Sequence, residues 1–301
     1  MAEIDLIGVP MDLGANRRGV DMGPSALRYA GVAAALTRMG HRVRETGDVA
    51  VALPEQGRVG DPSARYAREI ARTCRRLADR VARSVRERRV PLVVGGDHSI
   101  AIGTAVGLAE GGCRFGLLWV DAHADINTPQ TSPSGNVHGM ALAAMLGLEP
   151  AGMMEPALSC RARPPASADR VAIVAVRDVD PGERLTLRET GIAVYTMAEI
   201  DRRGAAAVID AALEHLLARC DGLYVSFDLD ALDPAVAPGV GTPKEGGLTY
   251  REGHLILETV AQTGALRAFE VVEINPILDV ANRTAQIACE LIGSAFGASV
   301  L

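Results

Sequence analysis

Long apolar runs are missing from this 301-residue sequence, and so is any excess of positive charge. No window reaches the roughly 18 consecutive apolar residues expected of a transmembrane helix. The N-terminus also lacks the positively charged region of a secretory signal peptide. We therefore expect a cytoplasmic protein with no membrane partner. The net charge of −6 at pH 7 offers no basic footprint, so nucleic acid is not expected as a partner either.

Cysteines are few, and they form no motif. The five cysteines are scattered without a C-x-x-C pair, and their odd number argues for free thiols rather than a disulfide framework. The chain has no G-x-G-x-x-G and no G-x-x-x-x-G-K-[ST]. The absence of these motifs argues against a dinucleotide-binding site and against a P-loop nucleotide site.

Hydrophobic residues make up 48% of the chain, which is enough for a large core. Short runs rich in Val, Ile and Leu alternate with segments of helical periodicity. This alternation predicts a parallel sheet with helices on both faces. We expect residues 1–301 to form one α/β domain, a three-layer α/β/α arrangement around a mainly parallel sheet of about eight strands. Ligands of such sheets bind beyond the carboxyl ends of the strands.

Three metal-capable side chains follow the apolar run 115–120. Residues at i, i+2 and i+4 of an extended chain point to one side, so Asp121, His123 and Asp125 are expected to converge. Carboxylates packed together without a cation are unfavourable unless they protonate. A bound metal is the simpler explanation, although this motif alone also fits a cluster that caps a helix or lies in a loop.

Further candidate ligands stand at two other strand ends. His98 follows the run 90–96, and Asp228 and Asp230 follow the run 222–227. A parallel sheet brings these ends together, so six side chains can surround one cavity. Six groups exceed the three or four protein ligands of one zinc ion, and four carboxylates favour oxygen-preferring cations such as Mn²⁺. A pair of such ions would lower the pKa of a bridging water towards neutrality.

The motifs at these strand ends resemble those of the ureohydrolase family, and within it the arginases. They follow one another in the right order over nearly the whole chain, at residues 95–99, 121–129, 134–139, 177–183, 226–234, 241–243, 246–252 and 273–276. Two departures are an insertion-like segment at 151–168 and the pair Lys244 and Glu245, where arginases tend to carry apolar residues. Neither departure includes a candidate ligand.

The resemblance implies a fold, a cofactor and a reaction. It implies two Mn²⁺ ions per chain, one held by His98, Asp121, Asp125 and Asp228 and the other by Asp121, His123, Asp228 and Asp230. It also implies that a hydroxide bridging the ions attacks the guanidinium carbon of L-arginine, releasing L-ornithine and urea. The expected assembly is a homotrimer or homohexamer, with Arg251 and Glu252 as a candidate subunit contact.

The resemblance also assigns roles around the substrate. Glu273 would pair with the guanidinium, whose planar fork of donors suits a carboxylate. Asp125 would carry a proton to the departing amine, and His138 would shuttle protons or hold the substrate. The α-carboxylate would meet Asn127, Ser132 and Ser134, and the α-ammonium would meet Asp180 and Glu183, partly through water. Asn136 is a further candidate for substrate binding. Thr242 completes the candidate set and is expected to support Glu273 or a loop turn.

Three alternatives remain open at this point. Agmatine differs from arginine only in lacking the α-carboxylate, so the amino-acid end of the site decides between these substrates. A two-metal phosphoesterase would use similar ligands, but no convergent set of Arg and Lys is evident for a phosphate. A non-catalytic binding protein fits poorly, because no candidate catalytic residue is missing.

Overall fold

The strands of the described chain form a single sheet. The computed structural model describes residues 1–55, 57–148 and 164–298, so most of the insertion-like segment 151–168 lies outside the described residues. The eight strands are all parallel, in the order β2-β1-β3-β8-β7-β4-β5-β6. Their bounds are β1 Glu3–Val9, β2 Arg42–Asp48, β3 Val90–Gly95, β4 Phe115–Val120, β5 Val171–Val176, β6 Ala193–Thr196, β7 Gly222–Asp228 and β8 Leu266–Val272.

Both faces of the central strands of this sheet are buried, as their apolar sequences predict. Every residue of β4 is buried. Successive side chains of a strand point to opposite faces, so Leu118 and Val120 join one hydrophobic cluster while Leu117 and Trp119 join the other. The strands therefore lie between two separate cores. The predicted three-layer α/β/α architecture is confirmed.

Helices cover the two faces unequally. Side chains of α3, α4 and α5 pack into one cluster, and side chains of α1, α2, α7, α8, α9 and α10 pack into the other. The helices are α1 Gly23–Tyr29, α2 Val32–Arg38, α3 Ala67–Arg86, α4 Ala101–Glu110, α5 Ala141–Leu146, α6 Pro181–Thr190, α7 Met197–Arg203, α8 Ala205–Leu217, α9 Tyr250–Gln262 and α10 Arg283–Ala295. Among the described residues, no helix is long and apolar enough to cross a membrane.

The residues of the candidate site follow four neighbouring strands in the middle of the sheet. The order β3-β8-β7-β4 places their carboxyl ends side by side, and the segments that follow them carry His98, Glu273, Asp230 and Asp121. The last strand is shorter than its apolar pattern predicts, because it ends at Val272 instead of continuing to residue 276. Glu273 leaves the sheet with φ of 64°.

Candidate active site

Two groups of metal-capable side chains lie at the carboxyl ends of these strands. His98, Asp121 and Asp125 form one group, and Asp121, His123 and Asp230 form the other. Within each group the ligand atoms lie within 4.8 Å of one another. Asp121 belongs to both groups, so a single carboxylate links two adjacent cation positions. The structure thus brings together side chains from three strand ends that are far apart in sequence.

The His98 ring is the centre of the first group. Its Nδ1 atom lies 3.1 Å from an Asp121 oxygen, 3.2 Å from an Asp125 oxygen and 3.2 Å from an Asp228 oxygen. Among the described residues, this buried nitrogen makes only these close contacts with carboxylates, and none of them has the geometry of an ordinary hydrogen bond. A buried ring nitrogen surrounded by carboxylate oxygens is a fitting ligand set for a cation. The oxygen-rich donors match Mn²⁺ better than metals selected by thiolates.

The second group is built around His123, which is about a quarter exposed. Its Nδ1 atom lies 3.1 Å from an Asp230 oxygen and 3.4 Å from an Asp121 oxygen. Asp121 also accepts a hydrogen bond from the His123 backbone amide at 2.6 Å. That bond turns the chain back directly after β4 and directs the second imidazole to the shared carboxylate.

The electrostatics of both groups favour added positive charge. Burial and the charges of neighbouring carboxylates raise the pKa of Asp125 and of Asp228 above the usual value. Burial alone would lower the pKa of His98, but the three carboxylates of Asp121, Asp125 and Asp228 beside its ring bring that pKa well above the usual value. Four carboxylates this close together and this deeply buried are unfavourable in their ionised form unless a counter-charge balances them. Divalent cations would supply it.

Trp119, which was not among the predicted site residues, supports the first group. Its ring stacks on the His98 ring with centroids 3.9 Å apart and an interplanar angle of 5°. Its Nε1–H donates to Asp121 at 2.9 Å. One side chain of β4 thereby fixes an imidazole and a carboxylate from two different strand ends. It is also the only tryptophan in the chain.

Glu273 and His138 form a buried pair beside the metal-capable groups. Glu273 Oε1 lies 3.0 Å from His138 Nδ1 and accepts from the His98 backbone amide at 3.0 Å. Its other oxygen, Oε2, is buried and has no partner among the described residues. Burial lowers the pKa of His138, but the Glu273 carboxylate outweighs this effect and raises the pKa to about 9. Glu273 therefore keeps one oxygen free for a further donor.

Backbone strain marks two of the predicted catalytic residues. Asp125 has φ of 49° and Glu273 has φ of 64°, values that residues other than glycine rarely adopt. Such conformations persist when the surroundings determine them, and they concentrate at functional sites. Here the Asp125 carbonyl accepts from Leu142 and the Glu273 amide donates to Gly96. These bonds lock both backbones.

A cleft of about 130 Å³ opens next to these groups. Most of the predicted site residues line it, whereas His98, Asp121, Asp230 and Glu273 are buried and are not part of the lining. The lining residues are His123, Asp125, Asn127, Ser132, Pro133, Ser134, Asn136, His138, Gly139, Asp180, Glu183, Asp228 and Thr242. A cleft of this size and polarity suits a small polar molecule.

The far end of the cleft is lined by polar loops. Asn127 donates to Asp180 at 3.0 Å, which ties the loop after β4 to the loop after β5. The hydroxyl oxygens of Ser132 and Ser134 accept backbone amides of their own loop at 3.0 and 3.2 Å. Their hydroxyl protons remain available to a ligand. Asn136 is buried, and its side-chain oxygen lies 3.4 Å from Arg65.

The tight turn at Gly135 holds this serine loop in place. Its φ is 70°, and an added Cβ would lie 1.9 Å from the Pro62 carbonyl oxygen. The Gly135 carbonyl accepts from the Arg65 amide at 2.9 Å. Only glycine has the conformational freedom and the small size that this approach needs.

Glu183 and Thr242 have contacts more specific than the sequence predicts. Both oxygens of Glu183 accept backbone amides, from Ile126 at 3.0 Å and from Asp180 at 2.9 Å. Burial is the main reason that the pKa of Glu183 rises to about 7. Thr242 donates to Asp230 at 3.0 Å and not to Glu273. It therefore orients a candidate metal ligand rather than the predicted guanidinium partner.

Comparison with known proteins agrees with this geometry. The model of the Arginase family matches residues 2–297. The arginase of Bacillus caldovelox is 48% identical over 303 residues, covering 100% of both chains. The arginase of Brevibacillus brevis is 47% identical and covers 99% of both.

The chain belongs to the arginase family.

Solved structures of arginases show the same fold. The B. caldovelox arginase superimposes with a TM-score of 0.94 at 48% identity, covering 100% of both chains. The Entamoeba histolytica arginase, solved in complex with L-ornithine, has a TM-score of 0.89 at 28% identity and covers 99% of both. The protein is therefore an enzyme, a hydrolase of the arginase family.

Lys244, which departs from the arginase pattern, has a partner within the chain. So do Arg251 and Glu252, the candidate subunit contact. Lys244 pairs with Asp178 at 2.7 Å, linking the glycine-rich loop to the loop after β5. Arg251 pairs with Glu258 at 3.2 Å. Glu252 accepts from Thr249 in the capping box of α9. Both members of the candidate subunit contact thus have a role inside their own chain.

Proposed function

We propose that this arginase-family hydrolase converts L-arginine and water to L-ornithine and urea, with two Mn²⁺ ions per chain. The carrying observation is the free, buried oxygen of Glu273 beside two cation-binding groups that share Asp121. A buried carboxylate oxygen without a partner can accept a hydrogen bond from a guanidinium, and two adjacent metal ions can activate the water that attacks it.

The donor atoms suggest how the ions would be held. One ion would bind to His98, Asp121, Asp125 and Asp228, and the other to Asp121, His123, Asp228 and Asp230, with Asp121 and Asp228 shared. Bound there, the pair would supply a water whose pKa is lowered towards neutrality. The support is the short distances from His98 Nδ1 to three of these carboxylates.

Glu273 is proposed to hold the guanidinium of the substrate. Its Oε1 is occupied by His98 and His138, so Oε2 would accept from a guanidinium nitrogen. A charge-assisted bond between a carboxylate and a guanidinium is short and directional. It would present the guanidinium carbon to the attacking water.

Asp125 and His138 are proposed to move protons. Oxygen from water adds to the guanidinium carbon, the bond from that carbon to the ornithine nitrogen breaks, and the departing amine takes up a proton. Burial and the neighbouring Asp121 raise the pKa of Asp125, which helps it to hold and release that proton. His138 lines the cleft and would exchange protons between the site and solvent.

The polar end of the cleft is proposed to recognise the amino acid. Ser132, Ser134 and Asn127 would donate to the α-carboxylate, while Asp180 would face the α-ammonium. Glu183 would act on the ammonium through water, since both of its oxygens already accept amides. Asn136 would complete the wall. The E. histolytica arginase was solved in complex with the amino acid L-ornithine, which supports an amino acid as the ligand.

Urea release across a panel of guanidino compounds tests the reaction. Purified protein loaded with Mn²⁺ should release urea from L-arginine, and far more slowly from agmatine or 4-guanidinobutyrate, which leave the carboxylate-binding donors or the ammonium-binding acceptors unpaired. Activity on agmatine without activity on arginine would overturn the substrate assignment. Hydrolysis of phosphate esters in its place would point to a phosphoesterase.

Assembly and location belong to the same proposal. We propose that residues 1–301 act as one domain in a cytoplasmic homotrimer or homohexamer, as the resemblance to arginases implies. The ion pair of Arg251 is exposed and would contribute little to an interface by itself. Sedimentation equilibrium should give three or six times the mass of one chain, and a monomer would refute the assembly.

A further inference from the structure

A buried polar network lies beneath the metal-capable groups, between β7, β8 and α4. Glu270 of β8 is fully buried, and so are Ser226, Tyr224 and Thr104 around it. The Glu270 carboxylate accepts from Ser226 at 3.0 Å and from Tyr224 at 2.8 Å, and also from Thr104. None of these side chains lines the cleft. These residues have no role in the proposed reaction.

One branch of this network reaches a candidate metal ligand. His98 Nε2 lies 2.9 Å from Ser226 Oγ. A serine hydroxyl has one proton, which Ser226 donates to Glu270, so Ser226 Oγ must accept from His98 Nε2–H. Neutral imidazole carries one N–H and one lone pair. The lone pair is then on Nδ1, the atom that faces the three aspartates.

We propose that Glu270 is a positioning residue for His98, acting through Ser226 to hold the ring in the orientation and tautomer that present Nδ1 to a metal ion. The inference rests on the proposed function, because it concerns the metal that the reaction would use. Partners of this kind, one bond behind a metal ligand, typically change metal affinity by about 10- to 100-fold when they are removed.

The sheet register makes possible the hydrogen-bonded chain from Glu270 through Ser226 to His98, here called the relay. Ser226 of β7 and Glu270 of β8 are paired positions on neighbouring strands. Tyr224, Ser226 and Asp228 occupy every second position of β7 and therefore lie on the same face of the strand. The face that carries the relay thus ends at a candidate ligand. Without Ser226 the Nε2–H would be buried with no acceptor. The opposite tautomer would place a proton on Nδ1 and compete with a cation there.

Three variants separate this role from a general effect on stability. Ser226→Ala removes the acceptor of His98, and Glu270→Gln keeps the shape but removes the charge at the end of the relay. Ser84→Ala is the matched control, since Ser84 is also buried and donates to a buried carboxylate, Asp5, at 2.6 Å. Equilibrium Mn²⁺ titration, followed by the fluorescence of Trp119, measures metal affinity without substrate.

The expected order of Mn²⁺ affinities is distinctive. Ser226→Ala should bind the ion at the His98 position about 10- to 100-fold less tightly than wild type. Glu270→Gln should shift in the same direction by a smaller factor, and Ser84→Ala should match wild type. At saturating Mn²⁺ the KM of Ser226→Ala for arginine should stay unchanged, because Ser226 does not line the cleft.

Equal Mn²⁺ affinities of Ser226→Ala and Ser84→Ala would overturn the proposal. If Ser226→Ala does not fold, the comparison of Glu270→Gln with Ser84→Ala decides in the same way. Wild-type protein that binds Mn²⁺ but releases no urea would count against the proposed reaction alone. The order of the affinities would still decide the relay.

Discussion

Replacing Glu273 by glutamine should abolish most activity while leaving the metal groups intact. Two donors, the His98 amide and His138, converge on Oε1 at 3.0 Å each. The amide oxygen of the new side chain would stay with these donors, which places its NH₂ group at the position of Oε2. A guanidinium nitrogen would then meet a donor instead of an acceptor, and the charge that attracts it would be gone.

The size of this loss follows from the burial of the pair. Glu273 is 1% exposed, and breaking one partner of a buried, hydrogen-bonded charge pair costs about 2–5 kcal/mol. A value of about 3 kcal/mol corresponds to a decrease in kcat/KM of about 100- to 200-fold. The measurement is the initial rate of urea release over a range of L-arginine concentrations, together with the Mn²⁺ content per chain.

A matched control and a clear contrary result complete this test. Glu290→Gln makes the same chemical change on the exposed surface of α10, where Glu290 bonds to Tyr250, and should keep wild-type kinetics. If Glu273→Gln retained its Mn²⁺ and lost less than about threefold in kcat/KM, the guanidinium would bind elsewhere. A loss of metal along with activity would instead make Glu273 a support of the metal groups.

Four further outcomes follow from the same contacts. Asp125→Asn should reduce kcat by at least about tenfold with the fold intact in circular dichroism, and an unchanged kcat would remove its proton-carrying role. Thr242→Val loses the hydrogen bond to Asp230 at 3.0 Å, which is worth about 1 kcal/mol. The Mn²⁺ titration should therefore show one ion bound with about fivefold lower affinity. Asn127→Ala should raise the KM for arginine more than that for agmatine, and equal effects would place the α-carboxylate elsewhere. Chelation of the metal should change the emission of Trp119, which stacks on His98, and lower the thermal midpoint, as expected when a ligand of the native state is removed.

The clustering of the metal-capable side chains was predictable because it depends on two simple rules. Side chains alternate along an extended chain, which groups Asp121, His123 and Asp125, and parallel strands end at the same edge of a sheet, which adds His98 and Asp228. Neither rule needs the strand order. The contiguous order β3-β8-β7-β4 then makes these strand ends neighbours, and the cluster forms as predicted.

Contacts that depend on loop paths were less accessible. Thr242 was expected to support Glu273 or a turn, but it donates to Asp230, because the glycine-rich loop is fixed by Arg177, which donates to the carbonyls of Lys244 and Asp230. Glu183 was expected to face the substrate's ammonium, and its two oxygens hold backbone amides. A single sequence specifies the residue types of such loops but not their three-dimensional paths.

The relay from Glu270 to His98 shows where the alternation rule stops. Applied backwards from Asp228, the rule places Ser226 and Tyr224 on the same face of β7, a serine and a tyrosine inside an otherwise apolar strand. The rule says nothing about which strand lies alongside, and Glu270 reads as a single acid in another apolar strand. Only the parallel pairing of β7 with β8 sets Ser226 opposite Glu270. A buried acid in an apolar strand is costly unless donors satisfy it, so its presence next to a metal-binding edge is itself a signal that a polar partner lies on the neighbouring strand.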